Sequence, residues 1–442
     1  MAEIFKAYDI RGVYPKELNE DTAYKIGRAF VDFFCVKSAV IGRDGRSSSP
    51  KIFEALAKGI TEQGADVIDI GLCSTPMFYF GSRDAEASIM VTASHNPKEY
   101  NGFKLCGEKA FPISEENGIK DVKRIVESNK FKKAERKGKI IKKDIMADYV
   151  KHNLRFLKTK NKFKIVLDAG NGMCGYTFPK ILENVKNIEL VKLYCNIDFS
   201  FPNHEPNPLK FETLHDIQKR VVKEKADLGI ATDGDGDRCV FIDEKGEIIS
   251  SDLATALIAE EMLKDHHGAT ILYDLRSSKI VKEVIEKNGG KAVMCRVGHS
   301  FIKKQMREEK SLFAGELSGH MYYRDNNYTE STFISLAEIL NLISEKNKPL
   351  SELVKPLKKY SASGEINSEV KDKDAKLLEI EKMYKDKAIE ILHLDGLSMY
   401  FKGWWFNLRK SNTEPLLRLN LEADTRKMME EERDEVLRLI NS

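Results

Sequence analysis

Asp233, Asp235 and Asp237 alternate with glycines in the run Asp233-Gly234-Asp235-Gly236-Asp237-Arg238. Carboxylates at alternate positions of a tight turn converge on one cation, and glycine gives the backbone freedom to wrap it. An all-oxygen donor set suits Mg²⁺ or Ca²⁺ and not zinc. A calcium EF-hand competes with this reading, because Glu244 stands at the twelfth loop position. Its sixth position calls for glycine and holds Arg238, and both flanks read as strands and not helices. A solvated Asp-Gly turn and a phosphatase with Asp233 as nucleophile are the remaining readings, and the latter leaves Ser94 idle.

Ser94 lies in Thr92-Ala93-Ser94-His95-Asn96-Pro97, directly after an apolar run. A serine hydroxyl is a weak nucleophile until a base, a metal or positive charge activates it. Lys104, just downstream, can supply charge or a proton. Glu316, Ser318 and His320 alternate along a third polar loop and offer partners for sugar hydroxyls. Arg409, Ser411, Asn412, Thr413 and Arg418 combine guanidinium forks with short donors, which is what a phosphate dianion needs. Each loop alone also reads as an ordinary hydrogen-bonded turn; a nucleophile, a cation nest, a polyol reader and a phosphate cradle together do not. Gly170-Asn171-Gly172-Met173-Cys174-Gly175 matches the dinucleotide-binding pattern, with Glu189 near the place of a ribose-binding acid. It reads equally as a tight strand-to-helix turn, and a nicotinamide-dependent oxidoreductase is the function it would imply.

These loops need strands to hold them. Val40 to Gly45, Ile165 to Gly170 and Ile271 to Arg276 are apolar runs that stop at turn residues, as buried strands do. Helical periodicity follows, for example over Pro50 to Gln63 and Ser278 to Asn288. Further strands, Ser88 to Val91, Leu228 to Ala231 and Ser311 to Ala314, lead into the three polar loops. One α/β unit used three times, at a spacing of roughly 105–125 residues, accounts for this. Lys132 to Lys143 reads as a linker or a solvated run. The last eighty or so residues form a different, smaller α+β unit. It is marked by a strand over Gly403 to Arg409, a polar loop to Glu414, a strand over Leu416 to Leu421 and a charged helix from Asp424.

The chain has 442 residues, more than one core holds, so several domains are expected. Lys plus Arg is 72 against 69 for Asp plus Glu. That balance gives no global basic field for nucleic acid, so an anion must be held by a local arginine cluster. The 7 cysteines are scattered without zinc spacing and suit a reducing compartment. Residues 1–12 lack the pattern of a secretory signal, and no run of about 18 apolar residues exists to cross a membrane. A cytoplasmic protein without membrane or nucleic-acid partners is the expectation.

The chain resembles the α-D-phosphohexomutase family, nearest its phosphomannomutase/phosphoglucomutase branch. The resemblance rests on Ala7-Tyr8-Asp9-Ile10-Arg11-Gly12, the Ser94 loop, the triple-Asp loop, the Glu316 loop and Arg409 to Pro415. It implies three related α/β domains with mixed sheets flanked by helices, plus a smaller C-terminal α+β domain, around a central cleft. The expected boundaries are 1–143, 144–247, 248–361 and 362–442. Carried over, Ser94 is the phosphorylated residue, and Asp233, Asp235 and Asp237 bind Mg²⁺ with an oxygen of its phosphate. Arg11, Lys104 and Arg238 surround that group; Glu316 and Ser318 hold sugar hydroxyls. Tyr8, Arg276, His299 and His320 line the cleft, and Lys104 and the two histidines are candidates for proton transfer. The cradle from Arg409 to Arg418 grips the phosphate that is not reacting. Three carboxylates, Mg²⁺ and a phosphoserine sum to a net negative charge, which Arg11, Lys104 and Arg238 bring near neutral.

The implied activity interconverts hexose 1-phosphate and hexose 6-phosphate through a hexose 1,6-bisphosphate intermediate. The sugar is mannose or glucose, with a phosphoglucosamine mutase as the alternative and a non-catalytic phosphosugar sensor as a further one. A monomer or weak dimer is expected. Lys410 and Leu317 depart from the residues usual in the family without removing a proposed ligand.

Overall fold

The computed structural model describes residues 4–411 and 415–442. Strand Ser38–Arg43 is apolar because both its faces are covered: Ile41 is buried, as are Ile165, Leu167, Ile271 and Leu272 in the corresponding strands. Ser38–Arg43 lies between two parallel neighbours, Asp66–Leu72 and Ser88–Val91, and Ser88–Val91 pairs antiparallel with Tyr100–Gly107. A second sheet repeats the plan. Phe163–Asp168 sits between Ile188–Leu193 and Leu228–Thr232, and Cys239–Asp243 follows antiparallel. A third repeats it again, with Thr270–Asp274 between Lys291–Cys295 and Phe313–Gly315, then antiparallel Met321–Tyr323. Parallel neighbours need a crossover, and helices Ser49–Glu62, Cys174–Leu182 and Lys279–Lys287 provide one in each unit. The triplication read from the sequence is therefore a repeat of strand order.

The fourth sheet differs. Five antiparallel strands run in the order Ser361–Glu369, Leu416–Ala423, Trp404–Lys410, Leu397–Phe401 and Glu390–Leu392. Helix Arg426–Ile440 packs on it and is capped by Thr425, whose hydroxyl accepts from the Met428 amide at 3.2 Å. Lys373–Tyr384, rich in Lys, Asp and Glu, forms a further helix.

One apolar cluster of buried side chains, from Val40 to Leu357, runs without a break through the first three units. The fourth sheet has a cluster of its own, from Val370 to Ile440. The Lys-rich stretch expected as a linker contributes a strand: Ile140–Lys142 adds in parallel to the open edge of Asp66–Leu72. Three exposed residues are too few to show a period, and only the edge they complete explains them. No helix among the described residues is long and apolar enough to cross a membrane.

Candidate active site

The three polar loops are the same connection in three copies. Each leaves the last parallel strand of its sheet and returns antiparallel: 92–99, 233–238 and 316–320. They also meet. Ser94 Oγ donates to Asp233 Oδ2 at 2.9 Å across 139 residues of chain. Arg238 and His320 form a backbone bridge between the second loop and the third. Gly234 is what permits the first approach, since a Cβ there would stand 2.7 Å from the Ser94 carbonyl oxygen.

Ser94 is buried and has φ +50°, a left-handed conformation that disfavours a side chain. Arg46, which sequence reasoning passed over, holds the loop in it. Its side chain is wholly buried and donates to the carbonyls of Ser94 at 2.8 Å, Asn96 at 2.7 Å, Pro97 at 2.7 Å and Tyr100 at 3.0 Å. Asp44 faces the same guanidinium at 3.2 Å. The signal was present: Asp44 directly after its strand and Asp274 at the end of the equivalent one each pair with the arginine two positions on. His95 was also left without a role, and its Nδ1 lies 3.1 Å from Ser94 Oγ. Burial and then Arg238 keep that imidazole well below its usual range.

Asp233, Asp235 and Asp237 are buried, with one oxygen of each within 4.8 Å of the others. Thr75 holds Asp235 through its hydroxyl at 2.6 Å, and Lys104 Nζ lies 2.9 Å from Asp235 and 2.5 Å from Asp237. Asp235 Oδ1 is buried without a hydrogen-bond donor, and Asp237 Oδ1 faces the His320 ring nitrogen at 3.3 Å. Burial and the other two acids push Asp233 well up, the mark of carboxylates too crowded to ionise together without added positive charge. Three buried carboxylates gathered this closely, one with an oxygen that has no donor, fit a hard divalent cation. Burial would lower the Lys104 ammonium, but Asp235 and Asp237 outweigh it and hold the charge on.

His320 lies 3.3 Å from Asp237 and 3.1 Å from Glu316, and its Nδ1 is 2.8 Å from Ser318 Oγ. Burial alone would lower it, yet Asp237 and the bonds to the carboxylates push it up to about 9. Glu316 also accepts from Tyr322 at 2.8 Å. His299 is the opposite case: burial, Lys303 and Lys104 keep it well below its usual range. Its ring meets that of Tyr8 edge-on at 5.9 Å. Arg11 pairs with Asp9 and donates to Asn96 at 2.5 Å.

Outside this buried cluster opens a cleft of about 1020 Å³, lined by Tyr8, Arg238, Arg276, His299, Glu316, Ser318, His320, Arg409, Ser411 and Arg418 among others. Arg238 and His320 belong to both regions. Asn412 and Thr413, expected in the cradle, lie outside the described residues. Arg276, Arg409 and Arg418 converge on Glu365, which sequence reasoning did not single out. The Gly170 turn is not open to a dinucleotide. The Met173 amide donates to the Gly234 carbonyl at 2.9 Å, and a Cβ on Gly172 would stand 2.6 Å from that oxygen. The turn packs under the triple-Asp loop and supports it.

Profiles of four phosphoglucomutase/phosphomannomutase domains match in order: alpha/beta/alpha domain I over residues 2–133, domain II over 147–246, domain III over 250–360 and the C-terminal domain over 365–439. The chain belongs to the phosphoglucomutase/phosphomannomutase family. Within it, the chain is 44% identical to a phosphomannomutase of Methanocaldococcus jannaschii over 99% of its own length and 97% of that protein. It is 40% identical to one of Escherichia coli K12, covering 95% and 94%. A solved phosphoglucomutase/phosphomannomutase family protein from Burkholderia thailandensis superposes with TM-score 0.93 at 33% identity, covering 99% of this chain and 97% of that one. The family's four-domain fold is the one seen here, three α/β units and a C-terminal α+β unit around a cleft.

Proposed function

We propose that this protein is a magnesium-dependent phosphomannomutase/phosphoglucomutase that interconverts hexose 1-phosphate and hexose 6-phosphate through phosphorylated Ser94 and a hexose 1,6-bisphosphate. The observation that carries this is the 2.9 Å bond from Ser94 Oγ to Asp233, which unites a nucleophile and an acid nest from separate units. Phosphoserine 94 gives its phosphoryl group to the free sugar hydroxyl. The P–Oγ bond breaks, a P–O bond to the sugar forms, the hydroxyl proton passes to a neutral imidazole, for which His299 is suited, and the departing Ser94 oxygen takes up a proton to become the hydroxyl. The bisphosphate turns in the cleft, and its other phosphoryl group returns to Ser94.

Asp233, Asp235 and Asp237 would hold Mg²⁺, whose charge offsets that of the transferring group. Lys104, kept cationic by its two acids, serves as fixed positive charge beside Arg11 and Arg238. Arg409, Ser411, Asn412, Thr413 and Arg418 grip the distant phosphate, with Arg276 beside them. Glu316 and Ser318 read ring hydroxyls, and Tyr8 and His320 shape the wall. Gripping the distant phosphate and two hydroxyls lets one site accept the sugar in both orientations.

Intact mass tests the reading. The protein carries one phosphoryl group, which disappears together with mutase activity in Ser94→Ala. Full activity in that variant would refute the mechanism. Turnover of mannose, glucose and glucosamine phosphates compared side by side decides the epimer, with glucosamine expected to be poorest because the relatives above carry the name phosphomannomutase.

A further inference from the structure

Lys303 is wholly buried, yet no step of the chemistry above is assigned to it. It stands on the helix His299–Glu308, one turn after His299 and on the same face. Its ammonium lies 2.7 Å from Glu330, itself buried, and 3.9 Å from the centre of the Tyr79 ring, with the Tyr322 ring at 6.0 Å. Each of these partners belongs to an element that holds the site. Tyr79 is on the helix Thr75–Ser82, whose first residue bonds Asp235. Glu330 and Tyr322 are register partners in adjacent antiparallel strands, and Tyr322 donates to Glu316. One oxygen of Glu330 also lies within 4.8 Å of an oxygen of Asp237 and a ring nitrogen of His320. The helix of His299, the support of the acid nest and the strands behind the hydroxyl readers therefore meet around one ammonium. Apolar side chains of like volume would stabilise such a place as well as a buried ion pair does. What the pair adds is charge at a fixed position.

We propose that Lys303 is a positioning residue for the transfer step: clamped between Glu330 and Tyr79, it sets the His299 helix against the acid nest and places a positive charge one turn behind the imidazole. The inference rests on His299 as the proton acceptor, as read under the proposed function. Such a base must meet the sugar hydroxyl neutral and give the proton up again afterwards. Its surroundings serve both ends. His299 is the first residue of its helix, where unpaired amides carry partial positive charge. Its Nδ1 is buried without a hydrogen-bond partner among the described residues, so an imidazolium would carry an N–H with no acceptor. The Tyr8 ring meets the imidazole edge-on at 5.9 Å and offers no charge to hold a proton. Burial, then Lys303, then Lys104 and His320 keep the imidazole below its usual range, against Asp237. Glu330 completes the device: burial draws the Lys303 ammonium down, and the carboxylate opposes that loss of charge.

Lys303→Met/Glu330→Gln removes both charges and nearly keeps the volume. The test follows kcat for mannose 1-phosphate against pH, with Mg²⁺ and trace glucose 1,6-bisphosphate present. In the parent the rate falls in acid as His299 takes up a proton, and His299→Gln abolishes that limb. In the double variant the limb moves to higher pH by about one unit, so the rate on the limb drops about tenfold. Lys303→Arg/Glu330→Asp, which lengthens one partner, shortens the other and keeps both charges, returns the limb to the parent position. A strut that only supports the fold would lower the plateau and leave the limb in place, and that result overturns the inference. Should the double variant not fold, Lys303→Gln reads the same limb with Glu330 in place. His299→Gln separates the two failures. A limb that survives in it removes the base from the proposed function; a limb that belongs to His299 but stands unmoved without Lys303 removes only the role of Lys303.

Discussion

Arg46→Lys asks how much of catalysis depends on holding Ser94 in a conformation it does not favour. Lysine keeps a positive charge facing the buried Asp44, so the fold does not lose an ion pair outright. It loses the fork that reaches four carbonyls, two of them flanking the reactive turn. A left-handed residue with a side chain costs about 1–2 kcal/mol. Ser94 keeps φ +50° because Arg46 opposes relaxation. Without the fork, that strain drives the loop toward relaxed forms in which Oγ no longer faces Asp233. A bias of about 1–2 kcal/mol lowers the competent fraction about 5- to 30-fold. Steady-state assays with mannose 1-phosphate should show kcat down by that factor and KM within about twofold, since the cleft residues are untouched. Phosphorylation of Ser94 by glucose 1,6-bisphosphate, followed by intact mass, should slow in parallel. Parent-like kcat, or a loss confined to KM, would refute the positioning argument.

Three further outcomes are expected elsewhere. Chelation of divalent cations should abolish turnover and Mg²⁺ should restore it, while Asp235→Asn should raise the Mg²⁺ concentration needed for half-maximal rate; activity indifferent to chelator would remove the acid nest from the mechanism. Glu338, on the helix Thr332–Lys346, is pushed up to about 7 by burial, despite Lys158. Its folded pKa lies above the ordinary value, so the folded chain holds the proton more tightly, and stability is lost as pH rises from about 4.5 through 7. Glu338→Gln should stabilise the chain by up to about 3 kcal/mol near pH 8 and by little near pH 4, read as a rise in thermal midpoint of several degrees at the higher pH alone. Equal midpoints at both pH values would contradict the burial argument.

The loops were legible in the sequence because each follows an apolar run and stops in residues with obvious chemistry. That Ser88 to Val91, Leu228 to Ala231 and Ser311 to Ala314 hold equivalent places was legible too, since strand, helix and strand recur in one order. Arg46 was not, because Gly45-Arg46 after a strand looks like any polar turn until the Ser94 loop folds over it from 48 residues away. Glu365 was hidden for a related reason. It lies beside a register slip in one sheet and meets an arginine brought from another. The Gly170 turn misled by composition alone: glycines that admit a pyrophosphate equally admit a neighbouring backbone, and here Gly234 occupies that space.

The apolar cluster that runs through the first three units stops short of the fourth, whose side chains form a cluster of their own. Ser94, the three aspartates, Glu316 and Ser318 belong to the first three units, whereas Arg409, Ser411 and Arg418 belong to the fourth. Among the described residues, polar links join their facing walls: Arg276 to Glu365, the Lys279 amide to Glu422 at 3.0 Å and its ammonium to Asp424 at 3.5 Å, and the Val297 amide to Asp395 at 3.2 Å. Such links break and re-form in water at little net expense, whereas interdigitated side chains do not. The side of the cleft that carries Arg409 and Arg418 is therefore backed by a core of its own and tied to the other side by polar contacts.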